Sequence, residues 1–188
     1  MDIKIKNIAR IRSGIYQKDS PDEDTLYLQV KDYNQNGELK KDEIKSSIKK
    51  EDKVESHLLY DGDLLFAAKG TSNFCALYNR NIGEAVASSS FFVIRVSSLI
   101  IAPEYLCWYL NTPKILGQLK ANAVGSSTPS ITKPMLEELE ISIPSIEKQK
   151  AIVTFSELQD KEVGLHLRIA QKKKELTDHI LNKIIKNK

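Results

Sequence analysis

The chain has 188 residues, a formal net charge of +3 from 28 Lys/Arg and 25 Asp/Glu, 41% hydrophobic residues and two cysteines. That length suits one domain plus an extension, and so mild a charge does not by itself announce a nucleic-acid partner. The N-terminus shows no uninterrupted apolar run of the signal-peptide kind and no segment reaches about 20 apolar residues, so neither a secretory leader nor a membrane span is expected. Cys75 and Cys107 lie in apolar surroundings without a pairing pattern, as in a reducing cytoplasm.

In chain order, Ile3 to Ile8 reads as a short alternating strand or amphipathic turn, and Ala9 to Gly14 continues the alternation. Arg10 and Arg12 share one face of that strand, either a solvated edge or a phosphate-contacting pair. Residues 18–25 form a polar loop, and Thr25 to Lys31 is a strand with aromatic and β-branched content. Residues 38–56 are highly charged and read as exposed. Asp61-Gly62-Asp63 turns the chain into an apolar strand over 64–68, which empties into Lys69-Gly70-Thr71-Ser72-Asn73. An amine, a bare backbone and hydroxyls at a surface edge suit phosphate and base-edge contacts, although a hairpin turn accounts for them equally well.

A further strand covers 74–78, and another covers 86–96, with Ser88, Ser89 and Ser90 inside it as packing residues or as donors. Pro103 to Leu110 is a short helix whose aromatics read as core, and Thr112-Pro113 opens a second helix to about Asn122. Val124 to Ile131 is a small-residue loop, Lys133 to Glu137 a capped turn, and residues 139–143 a strictly alternating strand. Pro144 then blocks helix on its N-terminal side, Ser145 is placed to cap, and one helix runs from about Glu147 to Ile185. Its stripe is Phe155, Leu158, Leu165, Ile169, Leu176, Ile180 and Ile184, in steps of three, four and seven residues. At 1.5 Å per residue this helix spans about 57 Å, longer than the rest of the chain is wide, so it reads as a coiled-coil arm rather than an ordinary surface helix. The arm holds ten Lys/Arg against six Asp/Glu, whereas residues 1–146 hold eighteen against nineteen, so any anion-binding surface on the body is local.

These segments resemble, over nearly the whole chain, the DNA specificity subunit of Type I restriction–modification enzymes. The resemblance is carried by the Gly-Asp-Leu-Leu strand entering Lys69-Gly70-Thr71 and by Ala87-Ser88-Ser89 before Phe91-Phe92-Val93. It continues in Gly125-Ser126-Ser127-Thr128-Pro129-Ser130-Ile131, Leu139-Glu140-Ile141, Ile143-Pro144 and Glu147-Lys148-Gln149-Lys150-Ala151-Ile152-Val153. The strand–Pro–Glu-x-Gln–helix junction at 139–153 is its most specific part. The family usually has two target-recognition domains, each followed by a helix, with the helices paired antiparallel. One domain and one helix therefore resemble a half-subunit. The resemblance implies a module without catalysis or cofactor of its own, recruiting an adenine methyltransferase subunit and, indirectly, a translocating endonuclease subunit.

The expected architecture is α+β. A mixed-sheet target-recognition domain over 1–143 precedes a long coiled-coil helix over 144–188 that serves as dimerisation and spacer arm. The expected double-stranded-DNA face is Lys69, Gly70, Thr71, Ser72, Ser88, Ser89, Ser90, Gly125, Ser126, Ser127, Thr128 and Lys133. No catalytic or metal-binding residue is assigned: His57, His166 and His179 are scattered, and there is no Gly-rich cofactor loop. The exposed stripe calls for an antiparallel homodimer, whose two-fold axis would demand an inverted-repeat target. Two other classes compete. Pro21-Asp22 with Gln29-Val30-Lys31 faintly matches the PD-(D/E)-x-K nuclease pattern, with Gln for the acid; a non-DNA coiled-coil scaffold is the other.

Overall fold

The computed structural model describes residues 2–18, 25–40, 46–49, 52–70, 72–125 and 129–186, together with the backbone but not the side chain of residue 53. The chain divides into two compact units, Met1–Gln149 and Lys150–Lys188. It is an α+β protein with a long C-terminal helix, as its pattern implies.

Within the first unit the strands are β1 (Asp2–Lys4), β2 (Ala9–Ser13), β3 (Thr25–Leu28), β4 (Ser47–Ile48), β5 (Leu64–Ala67), β6 (Cys75–Leu77), β7 (Ala85–Ala87), β8 (Phe91–Val96) and β9 (Glu140–Ser142). The helices are α1 (Asp52–Glu55), α2 (Pro103–Asn111), α3 (Pro113–Ala121) and α4 (Lys133–Glu137). Among the described residues the strands form three sheets rather than one. An antiparallel four-stranded sheet runs in the order β2-β8-β5-β6, a three-stranded sheet in the order β4-β3-β7, and β1 pairs with β9.

The single strand expected over 86–96 is two, because the chain turns at Ser88–Ser90, where the Phe91 amide donates to the Ser88 carbonyl at 2.9 Å. β7 joins β3 in parallel and β8 joins β5 and β2 in the other sheet, so this turn carries the chain from one sheet to the next. Serine suits such a turn because it is small and its hydroxyl is able to bond nearby backbone. The segment read as exposed at 38–56 also differs: Ser46, Ser47, Ile48 and Val54 are buried. Ile48 and Val54 pack with Ile15, Tyr27 and Val86 in a small cluster. The other face of the same sheet, through Leu28, Ala85 and Ala87, joins the main core with Leu65, Phe74, Phe91 and Val93. The sheet is thus apolar on both faces, as a partly parallel, covered sheet requires.

The main core is closed by an aromatic triad. Tyr33 lies 5.6 Å from Phe74 and 5.7 Å from Phe91, the latter edge-on. Burial pushes the Tyr33 phenol well above its ordinary range. Helix α2 packs on β6 and buries Tyr105, Leu106 and Leu110, so of its aromatics Tyr105 is core while Trp108 and Tyr109 are only partly buried. Asn111, at its end, accepts from the Cys75 amide at 2.8 Å and donates to the Cys75 carbonyl at 2.7 Å, occupying the outer edge of β6. Cys75 and Cys107 are free thiols, and burial holds the Cys75 thiol up.

Arg12 is neither a solvated edge residue nor an available phosphate contact. Its guanidinium donates to the carbonyls of Ser56, His57 and Leu58 at 2.8, 3.1 and 2.8 Å, gathering the acceptors that follow α1. Arg95, one strand over, makes a two-pronged bond to the buried Asp63 and stacks 3.8 Å over the Tyr60 ring. Together the two arginines fix the 56–63 connection that feeds β5. Arg10 stays exposed.

Helix α5 runs from Ile146 to Lys186, 41 residues, about 60 Å at 1.5 Å per residue. Its start is the one read from Pro144: the Ser145 hydroxyl accepts from the Lys148 amide at 3.5 Å, a long cap. Gln149 is the only buried residue of α5 among those described. Its side-chain oxygen accepts from the Ala102 amide at 2.8 Å, and its nitrogen donates to the carbonyls of Ile100 and Pro144 at 2.8 and 2.9 Å. A fully buried amide with both hydrogens and its oxygen satisfied ties the first turn of α5 to the loop before α2. That is the physical reason for the Gln in the Glu-x-Gln junction.

Candidate nucleic-acid interface

Three polar segments far apart in sequence meet at one end of the four-stranded sheet. The first is the β5–β6 hairpin. Its register, Phe66 opposite Cys75, leaves Lys69, Gly70, Ser72 and Asn73 near the tip, and the buried Asn73 side-chain amide donates to the Ala67 carbonyl at 2.9 Å to close it. Asn73 was not singled out from the sequence as anything but loop. Its role becomes visible only when the register is known.

The second segment is 129–131. The Gly70 amide donates to the Pro129 carbonyl at 2.9 Å, Lys69 bridges Ser130, and the Ile131 amide donates to the Ala68 carbonyl at 2.9 Å. Ser130 in turn exchanges two backbone bonds with Val124, at 3.0 and 2.9 Å, which brings in the chain just before Gly125. The third is the Ser88–Ser90 turn, whose Ser90 carbonyl accepts from the Ala68 amide at 3.1 Å. Three backbone hydrogen bonds join the three segments and two more bring in Val124, so they are held on sheet ends rather than on free loops, which is how recognition loops are made rigid.

On this surface Lys69 is exposed and, among the described residues, makes no ion pair. Gly70, at φ +84, occupies left-handed backbone, and a Cβ there would meet nothing within 4 Å. It is glycine for conformation, and the space above it is open. Gly125, at φ +110, is likewise left-handed and exposed. Ser72 is exposed, while Ser89 and Ser90 are half-buried. Ser88 differs from its neighbours: it is buried, and its amide donates to the Leu28 carbonyl at 2.9 Å, so it serves the turn itself. Lys133 stands on α4 and faces Glu137 across one turn at 3.4 Å, so its charge is partly offset. Thr71, Ser126, Ser127 and Thr128 lie outside the described residues, as do Pro21 and Asp22 of the nuclease pattern.

Gly14 governs how the third segment is seated. A Cβ there would come within 2.1 Å of the Ser88 carbonyl oxygen and 2.5 Å of that of Ala87. Only glycine lets the end of β2 run against the turn, where the Gly14 and Ile15 amides donate to the carbonyls of Phe91 and Ala87 at 3.0 and 2.9 Å.

On α5 the stripe read from sequence is exposed throughout, from Phe155 at 68% to Ile180 at 49%. The sequence reading missed a second apolar row, Val163, Leu167, Leu181 and Ile185, also exposed. At 3.6 residues per turn it lies roughly a third of a turn round the helix from the first. Its signal was present in the spacing but was masked by Lys174 between its two halves.

Residues 1–177 match the family model described as the Type I restriction modification DNA specificity domain. The chain belongs to that family. No curated protein matches it significantly. Three solved structures are similar in fold. One is a crystal structure of the S subunit of a Type I restriction–modification system from M. genitalium, with a TM-score of 0.59 at 16% identity. A second is the HsdS subunit from Thermoanaerobacter tengcongensis, with a TM-score of 0.63 at 15% identity. The third comes from work on complex assembly and conformational transition of the type I R-M system, with a TM-score of 0.65 at 17% identity. They cover 86%, 90% and 94% of this chain respectively. The chain spans only 39%, 39% and 42% of the length of those structures. Among the described residues no helix is long and apolar enough to cross a membrane.

Proposed function

We propose that this chain reads double-stranded DNA sequence-specifically, without catalysis of its own, and directs an adenine methyltransferase subunit, and through it an endonuclease subunit, to a bipartite target. The observation that supports this reading is the backbone-bonded convergence of 68–70, 88–90 and 129–131, with an exposed lysine that makes no ion pair among the described residues and open space over a glycine at its centre. In this reading Lys69 supplies the charge, with Lys133 a weaker contributor. Gly70 and Gly125 admit close approach of a backbone. Ser72, Ser89 and Ser90, with Thr71 and the 126–128 stretch, offer hydroxyls to base edges or phosphates. Ser88 shapes the turn.

The apolar stripe of α5 is the dimerisation surface, and the simplest closure is an antiparallel two-fold pair. The second row, Val163, Leu167, Leu181 and Ile185, is left over by that pairing and suits a helix of the methyltransferase subunit. Changing Val163 and Leu167 together to Asp should leave self-association intact and abolish co-purification of that subunit. Loss of self-association instead would place the dimer on the second row.

Lys69→Ala tests the DNA face. A base contact predicts a target-specific loss of about 1–3 kcal/mol; a phosphate contact predicts a uniform loss and a salt slope reduced by about one. Unchanged affinity and unchanged salt dependence would remove Lys69 from the interface. The chain alone, with or without Mg²⁺ and methyl donor, should neither cleave nor methylate a duplex. Cleavage abolished by Asp22→Asn would overturn the binding-module reading.

A further inference from the structure

The Ser88–Ser90 turn borders a second surface. It forms one wall of a cleft of about 610 Å³, whose other walls include Tyr16, Gln17, Lys18 and Lys31. Tyr16, Gln17 and Lys18 have no role above, and Lys31 appears only in the competing nuclease pattern; the four come from the chain after β2 and the turn after β3.

Tyr16 is the informative residue. It is 79% exposed and buries almost nothing, yet the backbone that carries it is held on both sides. The Tyr27 phenol donates to the Ile15 carbonyl at 2.9 Å and accepts from the Gln17 amide at 3.3 Å, bracketing Tyr16 within one residue in each direction. Upstream, the Gly14 and Ile15 amides are bonded to Phe91 and Ala87, and Gly14 has no room for a side chain. A large amphipathic ring presented to solvent on a fixed backbone contributes little to the fold. Such a ring, losing little entropy on binding, is suited to contact. Lys18 and Lys31 are both exposed and lie in the wall of the same cleft. An aromatic ring, an amide and two ammonium groups around one opening are the groups that engage a nucleic-acid groove and its flanking phosphates.

We infer that this cleft is a second part of the DNA-reading surface, continuous with the Lys69 hairpin through the Ser88–Ser90 turn, in which Tyr16 contacts the target's base or sugar edges and Lys18 and Lys31 hold phosphates. The inference rests on the DNA-binding reading and extends it to residues that reading does not need. It assigns specificity to Tyr16 and sequence-independent affinity to the lysines.

The test uses the full chain and a pool of duplexes with a randomised core, from which the wild type selects a consensus. Tyr16→Ala should weaken binding of the consensus duplex about tenfold and leave a scrambled duplex unaffected. A fresh selection with that variant should lose preference at one or two adjacent positions while keeping the rest. Lys31→Ala, alone and with Lys18→Ala, should weaken both duplexes alike and lower the salt slope by about one per lysine. Tyr16 is exposed, so its substitution leaves the fold intact, and an unchanged melting temperature checks this. A wild type that selects a consensus while all three variants keep its affinity, salt slope and preferences overturns the cleft and leaves the hairpin reading standing. A wild type that selects nothing, and binds no duplex, overturns both.

Discussion

Helices α2 and α5 carry the same kind of apolar periodicity and meet opposite fates. On α2, Tyr105, Leu106 and Leu110 are at most 3% exposed, packed against the edge of the four-stranded sheet. On α5, Phe155, Leu158, Leu165, Ile169, Leu176, Ile180 and Ile184 repeat the pattern over many turns and are all about half exposed or more. The difference is not one of propensity. α2 begins at a proline and packs against β6, whose outer edge its Asn111 bonds. α5 is too long for its apolar row to be covered by the elements around its first turn, and that turn uses a glutamine rather than an apolar residue for its anchor. A hydrophobic stripe says that a surface will be covered; it does not say whether the cover belongs to the same chain.

The largest effect should come from breaking the exposed stripe. Leu165→Asp with Ile169→Asp should raise the dissociation constant of the homodimer at least about 100-fold, since such interfaces depend on a few apolar anchors. The monomer should keep its secondary structure. Sedimentation decides it, and a wild type that is monomeric at micromolar concentration removes the dimer from consideration.

Next comes the covered stripe. Leu106→Ala should cost about 3 kcal/mol in chemical unfolding, within the usual range for a buried leucine. Ile169→Ala, measured where the chain is monomeric, should change stability by less than about 0.5 kcal/mol. Equal costs at the two positions would mean that α5 has a cover within its own chain.

The junction should fall below both. Gln149→Leu removes three hydrogen bonds and leaves the Ala102 amide and the Ile100 and Pro144 carbonyls without that partner. The expected loss is about 2 kcal/mol, because buried groups left unpaired cost more than a made bond contributes. Amide exchange should quicken at Ala102 and in the first turn of α5, and spare the β5–β8 ladder. A protein as stable as wild type would show that water replaces the amide freely.

The smallest effect is electrostatic. Glu138 accepts from Lys4 at 2.8 Å and from Lys6, and these bonds hold its carboxyl down at about 2, against an ordinary value of 4.5. A carboxyl lowered in the folded state stabilises above its unfolded value, and that contribution is lost as pH falls from about 4.5 toward about 2. All three groups are exposed, so solvent screening keeps the contribution small. Glu138→Gln should flatten the acid limb of a melting-temperature profile in that window and leave neutral pH almost unaffected. An unaltered acid limb would mean that the lysine bonds do not persist in solution.

Much of this was legible in the residues. Pro144 and Ser145 set the start of α5, Pro103 and Pro113 opened α2 and α3, and the apolar run at 64–67 gave β5, because these signals act within one turn or one strand. The family resemblance, too, rested on local strings such as Ala87-Ser88-Ser89 and Glu147-Lys148-Gln149. What the local signals could not supply was pairing. Tertiary structure split 86–96 between two sheets, buried Ser46 to Ile48 although they fall within a charged stretch of sequence, turned Arg12 from a surface cation into a clamp on three carbonyls, and seated Ser88 inside its turn while leaving its neighbours half open. Each of these depends on which strand lies alongside, a contact between residues tens of positions apart whose register no short pattern encodes. The same reason separates Lys69 from Tyr16: the lysine sits in a hairpin that its own sequence announces, whereas the tyrosine reaches the same turn only because β2 folds back against residues more than seventy positions further on.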